Sequence, residues 1–243
     1  MTAPRLTSRR APVLGVVLIA IAVLGGAAMW YLFFRPSGPP PVSLGSMAPA
    51  SEAQVSAAPA AGVAGVWTTD PAASTTSGPA TFVGYRVREE LANIGATEAV
   101  GRTSGVTGSL TIEGTTVTKA DIAADLTALQ SDNHNRDRQL SNQALETGTY
   151  PQATFTLTAP IELGSVPVAG QVVEVTATGD LTLHGVTKSV KIPLKARLEG
   201  DTIAVAGSLP VAFADYGIEK PRAMVVLSVA DAGTLELLIH FTR

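Results

Sequence analysis

Gly179-Asp-Leu-Thr-Leu-His184-Gly-Val-Thr-Lys188 lies between two runs in which apolar and polar residues alternate, and the parity of the apolar set flips across it. Before it, Val173, Val175, Ala177, Gly179, Leu181 and Leu183 occupy odd positions. After it, Val190, Ile192, Leu194, Ala196 and Leu198 occupy even ones, with Lys191, Lys195, Arg197 and Glu199 between them. Alternation at period 2 marks a half-buried strand, so this stretch predicts a β-hairpin. With Gly185-Val186 as a two-residue loop, Leu183 pairs with Lys188, Leu181 with Val190, Gly179 with Ile192 and Ala177 with Leu194. Both apolar faces then fall on one side. Glycine at the first central position suits a type II′ turn, and a four-residue loop from His184 to Thr187 keeps the same register.

The same alternation recurs outward from the hairpin. Val83, Tyr85 and Val87 share a side within Thr81–Glu89; Val106, Gly108, Leu110 and Ile112 share one in the next run, and Ala120, Ile122, Ala124, Leu126 and Ala128 in another, with Gly114 as the turn between them. Phe155, Leu157, Ala159 and Ile161 precede the hairpin. Ile203, Val205, Gly207, Leu209, Val211 and Phe213 follow it, then Leu235, Leu237, Ile239 and Phe241. These are eight strands, with Trp67 heading a short ninth. One helix is predicted, from about Asn133 to Glu146, with Asp132 or Asn133 as N-cap and Leu140, Ala144 and Leu145 as its apolar stripe. An all-β chain of this kind makes a closed barrel or a sandwich. An eight-stranded barrel is either filled by side chains or just wide enough for one small ligand. Inward Gly108, Ala124, Ala159, Ala177, Gly179, Ala196 and Gly207 favour the second outcome, unless they only reflect an alanine-rich composition.

Residues 1–65 differ in kind. No charged residue falls between Ala11 and Phe34, and a helix over 11–34, at roughly 1.5 Å per residue, is long enough to cross a ~30 Å hydrocarbon core. Arg5, Arg9 and Arg10 precede it, and beyond Arg35 the next basic residue is Arg86. The positive-inside rule therefore puts 1–10 in the cytoplasm and the remainder outside a cell membrane crossed once, with Trp30 and Tyr31 at the outer interface. A cleaved signal peptide is the alternative, since small residues stand at 25–28. Residues 35–65, rich in Pro, Ala, Ser and Gly, read as a flexible linker to a domain over 66–243. That domain carries 13 basic and 19 acidic side chains, a negative balance that argues against nucleic-acid partners. The chain has no cysteine, so disulfides and thiolate metal sites are excluded.

The run GDLTLHGVTKSV, the segment Tyr150-Pro-Gln-Ala-Thr-Phe155, the pair Arg136-Asp137, the turn Asp215-Tyr216-Gly217-Ile218 and Trp67 with Asp70 together resemble the YceI-like proteins, in consistent order from about Val66 to Arg243. The resemblance implies an eight-stranded antiparallel, lipocalin-like barrel with one short helix, whose tunnel holds a long polyisoprenoid chain. It implies binding or carriage of an amphiphile, with no catalytic step. Two positions depart from the family's pattern: Glu89 stands where members often carry His, and Phe213-Ala214 stand where many have Arg ahead of the aspartate turn.

The expected lining of such a tunnel is Val83, Tyr85 and Val87 from the first run, and Leu110 and Ile112 from the second. Phe155 and Leu157 come from the third, Leu181, Leu183, Val190, Ile192 and Leu194 from the hairpin, and Phe213 and Phe241 from the last two. Each buried methylene contributes at most about 0.8 kcal/mol, so a five-carbon isoprene unit offers up to about 4 kcal/mol. A few units exceed the roughly 8 kcal/mol of micromolar affinity even after the costs of association. Glu89, Asp137, Arg138, His184 and Lys188 are candidate rim or headgroup residues, each with a plainer use in a surface ion pair or a turn. His134, His184 and His240 are scattered, and no metal, phosphate-loop or Ser-His-Asp pattern is present. No cofactor is expected beyond a bound isoprenoid lipid or quinone. The rival reading is a non-catalytic envelope interaction module whose barrel is filled by its own side chains.

Overall fold

The computed structural model describes residues 39–44, 62–72, 80–92, 95–221 and 226–243. The expectations for 1–10 and for a membrane span over 11–34 lie outside these residues, as does most of 35–65.

The strands are β1 (Gly65–Thr69), β2 (Phe82–Leu91), β3 (Gly95–Thr103), β4 (Val106–Glu113), β5 (Thr116–Asp125), β6 (Gln130–Ser131), β7 (Gln152–Leu157), β8 (Ile161–Glu162), β9 (Val172–Leu183), β10 (Val186–Glu199), β11 (Thr202–Ala212), β12 (Val226–Val229) and β13 (Ala232–Thr242). They stack end to end into eight wall positions. β1 pairs with β4 while β2 pairs with β3, so β1 and β2 share one position and β3 and β4 the next. β5 and β6 line up in the same way, against β4 and β3, and β7 and β8 both lie on β5. The order then runs β7–β9–β10–β11–β13. Closure comes where β13 meets both β1 and β2, and where β12 meets β2. Every pair is antiparallel. The result is an eight-stranded antiparallel up-and-down barrel, and closure leaves no long unpaired edge to protect.

Each of the eight alternating runs supplies one wall position, and Trp67 extends the first of them. β3 carried no signal, because its inward residues are Thr97, Ala99, Gly101 and Thr103 while its largest aliphatic, Val100, faces out. The register of the central hairpin differs from expectation by two residues. Leu183 pairs with Val186, Leu181 with Lys188, Gly179 with Val190 and Ala177 with Ile192. The loop is His184-Gly185, with φ of +51° and +73°. Positive φ at both central positions is the type I′ geometry, whose twist matches that of the flanking strands; the type II′ expectation put the glycine one place too early. A shift of two leaves every side chain on its expected face.

The helix is shorter than predicted. α1 covers His134–Gln139, capped by Asn133 Oδ1, which accepts from the Asn135 and Arg136 amides. The chain then widens into a π-turn over Leu140–Ala144, closed by Leu145 N–H donating to Leu140 O at 2.8 Å. The interior packs as two clusters. One, around Trp67, Leu110, Ile112, Leu198 and Phe241, also takes in Val63, ahead of the expected boundary at Val66; the other joins Leu126, Leu145, Ala153, Leu181, Leu183, Val211 and Tyr216.

Candidate functional site

Two cavities lie inside the barrel. The lower one, about 170 Å³, is walled by the inward faces of β4, β5, β7, β9, β10, β11 and β13. The upper one, about 250 Å³, lies under α1 and reaches the polar residues Tyr85, Glu89, Asn133, Arg136 and Gln139. Val83, Ala153 and Leu235 line both, so the two meet at a waist. Lower and upper parts thus differ in chemistry: hydrocarbon walls below, and a short row of hydrogen-bonding groups above. That is the division an amphiphile needs.

Of the expected lining residues, Leu110, Ile112, Phe155, Leu157, Leu181, Ile192, Leu194 and Phe241 border the lower cavity, Tyr85, Val87, Leu183 and Phe213 the upper, and Val83 both. Val190 borders neither; paired with Gly179 rather than with the expected Leu181, it packs against the cluster of Leu181, Leu183 and Tyr216. Ile122, Ala153, Val205, Leu235, Leu237 and Ile239 also line the lower cavity, and all six share the inward parity of their strands.

The polar end is ordered by charge. Arg136 Nη2 donates to Glu89 Oε1 at 2.6 Å and Nη1 to Asp132 Oδ1 at 2.5 Å, so the guanidinium is spanned by two carboxylates. Glu89 is buried at 9 % exposure. Tyr85 lies across Gly101 on the neighbouring strand: a Cβ at Gly101 would sit 2.4 Å from Tyr85 Cε1, which is why that position has no side chain. The Tyr85 hydroxyl is buried near the Ser131 side chain and, among the described residues, makes no hydrogen bond of good geometry. Burial pushes its pKa up to about 12, against the charge of Arg136 and the nearby Ser131 side chain and with Asp137 and Glu89 adding to the rise, so it is a donor at any physiological pH.

The remaining rim candidates do other work. Asp137 Oδ1 accepts from the Ser131 amide at 2.9 Å and from its hydroxyl at 2.6 Å, tying α1 to β6. Arg138 is exposed and donates to Asn135 Oδ1. His184 joins three segments: Nδ1 lies 3.1 Å from Tyr216 O, Nε2 2.9 Å from Glu146 Oε2, and the Tyr150 ring stands edge-on with centroids 4.6 Å apart. Lys188 Nζ donates to Asp215 Oδ1 at 2.9 Å. The residues of the hairpin, of Tyr150–Phe155 and of the Asp215–Ile218 turn, separate in sequence, therefore meet as one latch that holds the helical cap to the barrel wall.

The fold is thus a closed antiparallel barrel that encloses an apolar cavity, with polar groups at one end. Residues 67–241 match the YceI-like domain, and the chain belongs to that family. Among curated relatives, the protein YceI of Escherichia coli O157:H7 is 38 % identical over 84 residues, 34 % of this chain and 40 % of that protein. A UPF0312 protein of Vibrio campbellii is 36 % identical over 75 residues, 30 % of this chain and 36 % of its own. These alignments span well under half of the relatives' lengths. The structure resembles a polyisoprenoid-binding domain from Saccharophagus degradans implicated in plant cell wall breakdown, with a TM-score of 0.54 at 18 % identity, covering 73 % of this chain and 98 % of that one. At that identity the likeness shows the fold alone.

Proposed function

We propose that this protein binds a long-chain lipid in its barrel, a polyisoprenoid with an uncharged headgroup such as an isoprenoid quinone or a polyprenol. On this reading it acts outside the cytoplasm, held to the membrane by an anchor over 11–34. The observation that supports the reading is the apolar lower cavity adjoining a larger, mostly apolar upper one that carries a few polar groups beneath α1. The S. degradans domain, described as polyisoprenoid-binding, makes the same ligand class the first to test. The tail lies below the waist and the headgroup beneath α1.

The mouth favours a neutral group. Arg136 is already neutralised by Glu89 and Asp132, and a phosphate there would face their carboxylates. A quinone carbonyl or an alcohol oxygen instead accepts from Tyr85, whose hydroxyl otherwise stays unsatisfied at a cost of about 1–3 kcal/mol. Native mass spectrometry of the full chain extracted gently from membranes tests the proposal. The expected result is a co-purified apolar molecule, or uptake of added quinone or polyprenol. Repeated recovery of empty protein that takes up neither would overturn it. The alternative, a side-chain-filled interaction module, requires an interior without the two cavities.

A further inference from the structure

Half of one side of the barrel is covered on its outside. On β13 the outward residues Glu236, Leu238 and His240 are 2 %, 3 % and 1 % exposed, more buried than the inward Leu235 and Leu237, which border the cavity. The neighbouring outward positions continue the patch: Phe82 on β2, Ala204 and Ala206 on β11, and Arg197 on β10 are all buried, whereas Ser208 and Pro210, further along β11, are exposed. An outward strand face of a barrel in water alternates to polar residues; Ala204, Ala206, Leu238 and Phe82 do not. This apolar stripe crosses three adjacent strands, with Arg197 of β10 at its edge, and residues 39–44, Pro-Pro-Pro-Val-Ser-Leu, lie against it.

The fit is specific. Val42 and Leu44, two apart as in any extended chain, pack against Phe82, Ala206 and Leu238. The prolines have no N–H to donate, so the segment offers carbonyls, and the wall supplies arginines. Arg86 Nη2 donates to Pro39 O at 2.7 Å, Arg102 Nη2 to Pro40 O at 3.4 Å, and Arg197 Nη2 to Leu44 O at 3.3 Å. Arg86 and Arg102 are aimed by one buried carboxylate, Glu236, whose oxygens lie 2.9 Å and 3.6 Å from them. Arg102 also sits 4.0 Å above the Phe82 ring.

We infer that the outer face spanning β10, β11, β13 and β2 is a docking surface for an extended, proline-rich segment. Its occupant is this chain's own 39–44, which clamps the barrel to its tether at residue 39. A proline run binds such a surface at low entropic cost, because its backbone is extended before it docks. The clamp is independent of what the barrel holds. Its consequence for reach rests on the proposed anchor over 11–34: with the clamp engaged, only residues 35–38 separate that segment from the wall, an extended span of about 14 Å. With it released, the stretch up to the barrel proper behaves as a coil of roughly 30 Å. The clamp thus sets how far the barrel can travel from the point where it is tethered.

The cysteine-free chain makes the test direct. In the full-length protein, Ala206→Cys is compared with Ser208→Cys, the next outward position on the same strand, in its rate of labelling by a water-soluble thiol reagent. Protection of Ala206→Cys by at least tenfold is expected, and addition of Val42→Asp with Leu44→Asp abolishes it. Far-ultraviolet circular dichroism and apolar-ligand uptake, both within twofold of the parent, show that the barrel is intact in those variants. Labelling of Ala206→Cys as fast as Ser208→Cys, or protection that survives the double aspartate change, overturns the clamp. Loss of ligand uptake in the unsubstituted chain overturns the lipid reading and leaves the clamp standing.

Discussion

Ala153→Phe closes the waist between the two cavities. Ala153 is buried at 7 % exposure, borders both cavities and is paired with Ala124 of β5, so a phenyl ring there projects between the two cavities, where the proposed tail passes. The lower cavity, about 170 Å³, is then lost to the ligand while the upper one remains. Each isoprene unit excluded forfeits up to about 4 kcal/mol, and at about 1.4 kcal/mol per decade the loss of a single unit reaches about a thousandfold. Allowing for incomplete burial, affinity for a long-tailed quinone or polyprenol falls by at least about a hundredfold. A homologue short enough to stay above the waist is affected by less than about threefold. The substitution also overpacks the core, at about 1–3 kcal/mol, so the variant melts several degrees lower, and binding is measured at a temperature where circular dichroism shows both proteins folded. Calorimetric titration across a series of tail lengths reads the outcome. Equal affinity of parent and variant for the longest tail, with the fold intact, refutes the placement of the tail through the waist.

At the mouth, Glu89→Gln leaves Arg136 with one carboxylate fewer, so binding of a polyprenyl phosphate rises at least tenfold relative to the corresponding alcohol in a direct competition assay. Tyr85→Phe removes the donor offered to a neutral headgroup and weakens quinone binding by about 1 kcal/mol, read as a roughly fivefold rise in Kd. His184→Ala breaks the latch between the hairpin, Glu146 and Tyr216, at about 1–3 kcal/mol in urea unfolding; His184→Asn, which tolerates the positive φ, separates the cost of the turn from that of the latch. Burial holds His240 below its ordinary pKa, with Glu199 and Asp70 pulling the other way. The unfolded chain therefore takes up a proton near pH 6.5 that the folded chain refuses. The stability due to neutral His240 is fully present above that pH and is lost as pH falls toward the folded-state pKa, by at most about 1.4 kcal/mol per pH unit. Urea midpoints measured between pH 7.5 and 5.5 should show this slope, and His240→Gln should flatten it.

The barrel was legible because its eight wall positions each contain one run in which large residues face in. What the alternation could not reveal is where the interior is filled by a neighbour's side chain: β3 turns Gly101 and Ala99 inward to make room for Tyr85, so its own pattern vanishes. The hairpin register differs by two because glycine is not the sole bearer of positive φ in the turn: His184 shares it, held there by Glu146 and Tyr216. Most of the cavity lining followed from parity. The mouth did not: Arg136, Gln139 and Asn133 reach it from a helix whose charged run looks solvated until the fold brings Glu89 across from β2. The docked prolines were hidden for a related reason. A segment with no periodicity of its own gives no sign that arginines elsewhere are positioned to receive its carbonyls.

The barrel is closed by its outermost strands in sequence. Thr68 and Thr69 pair with Thr242 and Phe241, and Phe82–Arg86 with Leu238–Thr234; these contacts, with those of β12 on β2, span most of the domain, while the other pairs join strands much nearer in sequence. Such a seam carries the largest loop-closure entropy of any contact in the chain, so it forms last. A chain emerging residue by residue from a ribosome or an export channel passes through a stage in which a curled sheet of seven wall positions waits with one side open. The barrel has no inside until the final strand arrives, so under the proposed function a lipid is loaded only onto a finished molecule.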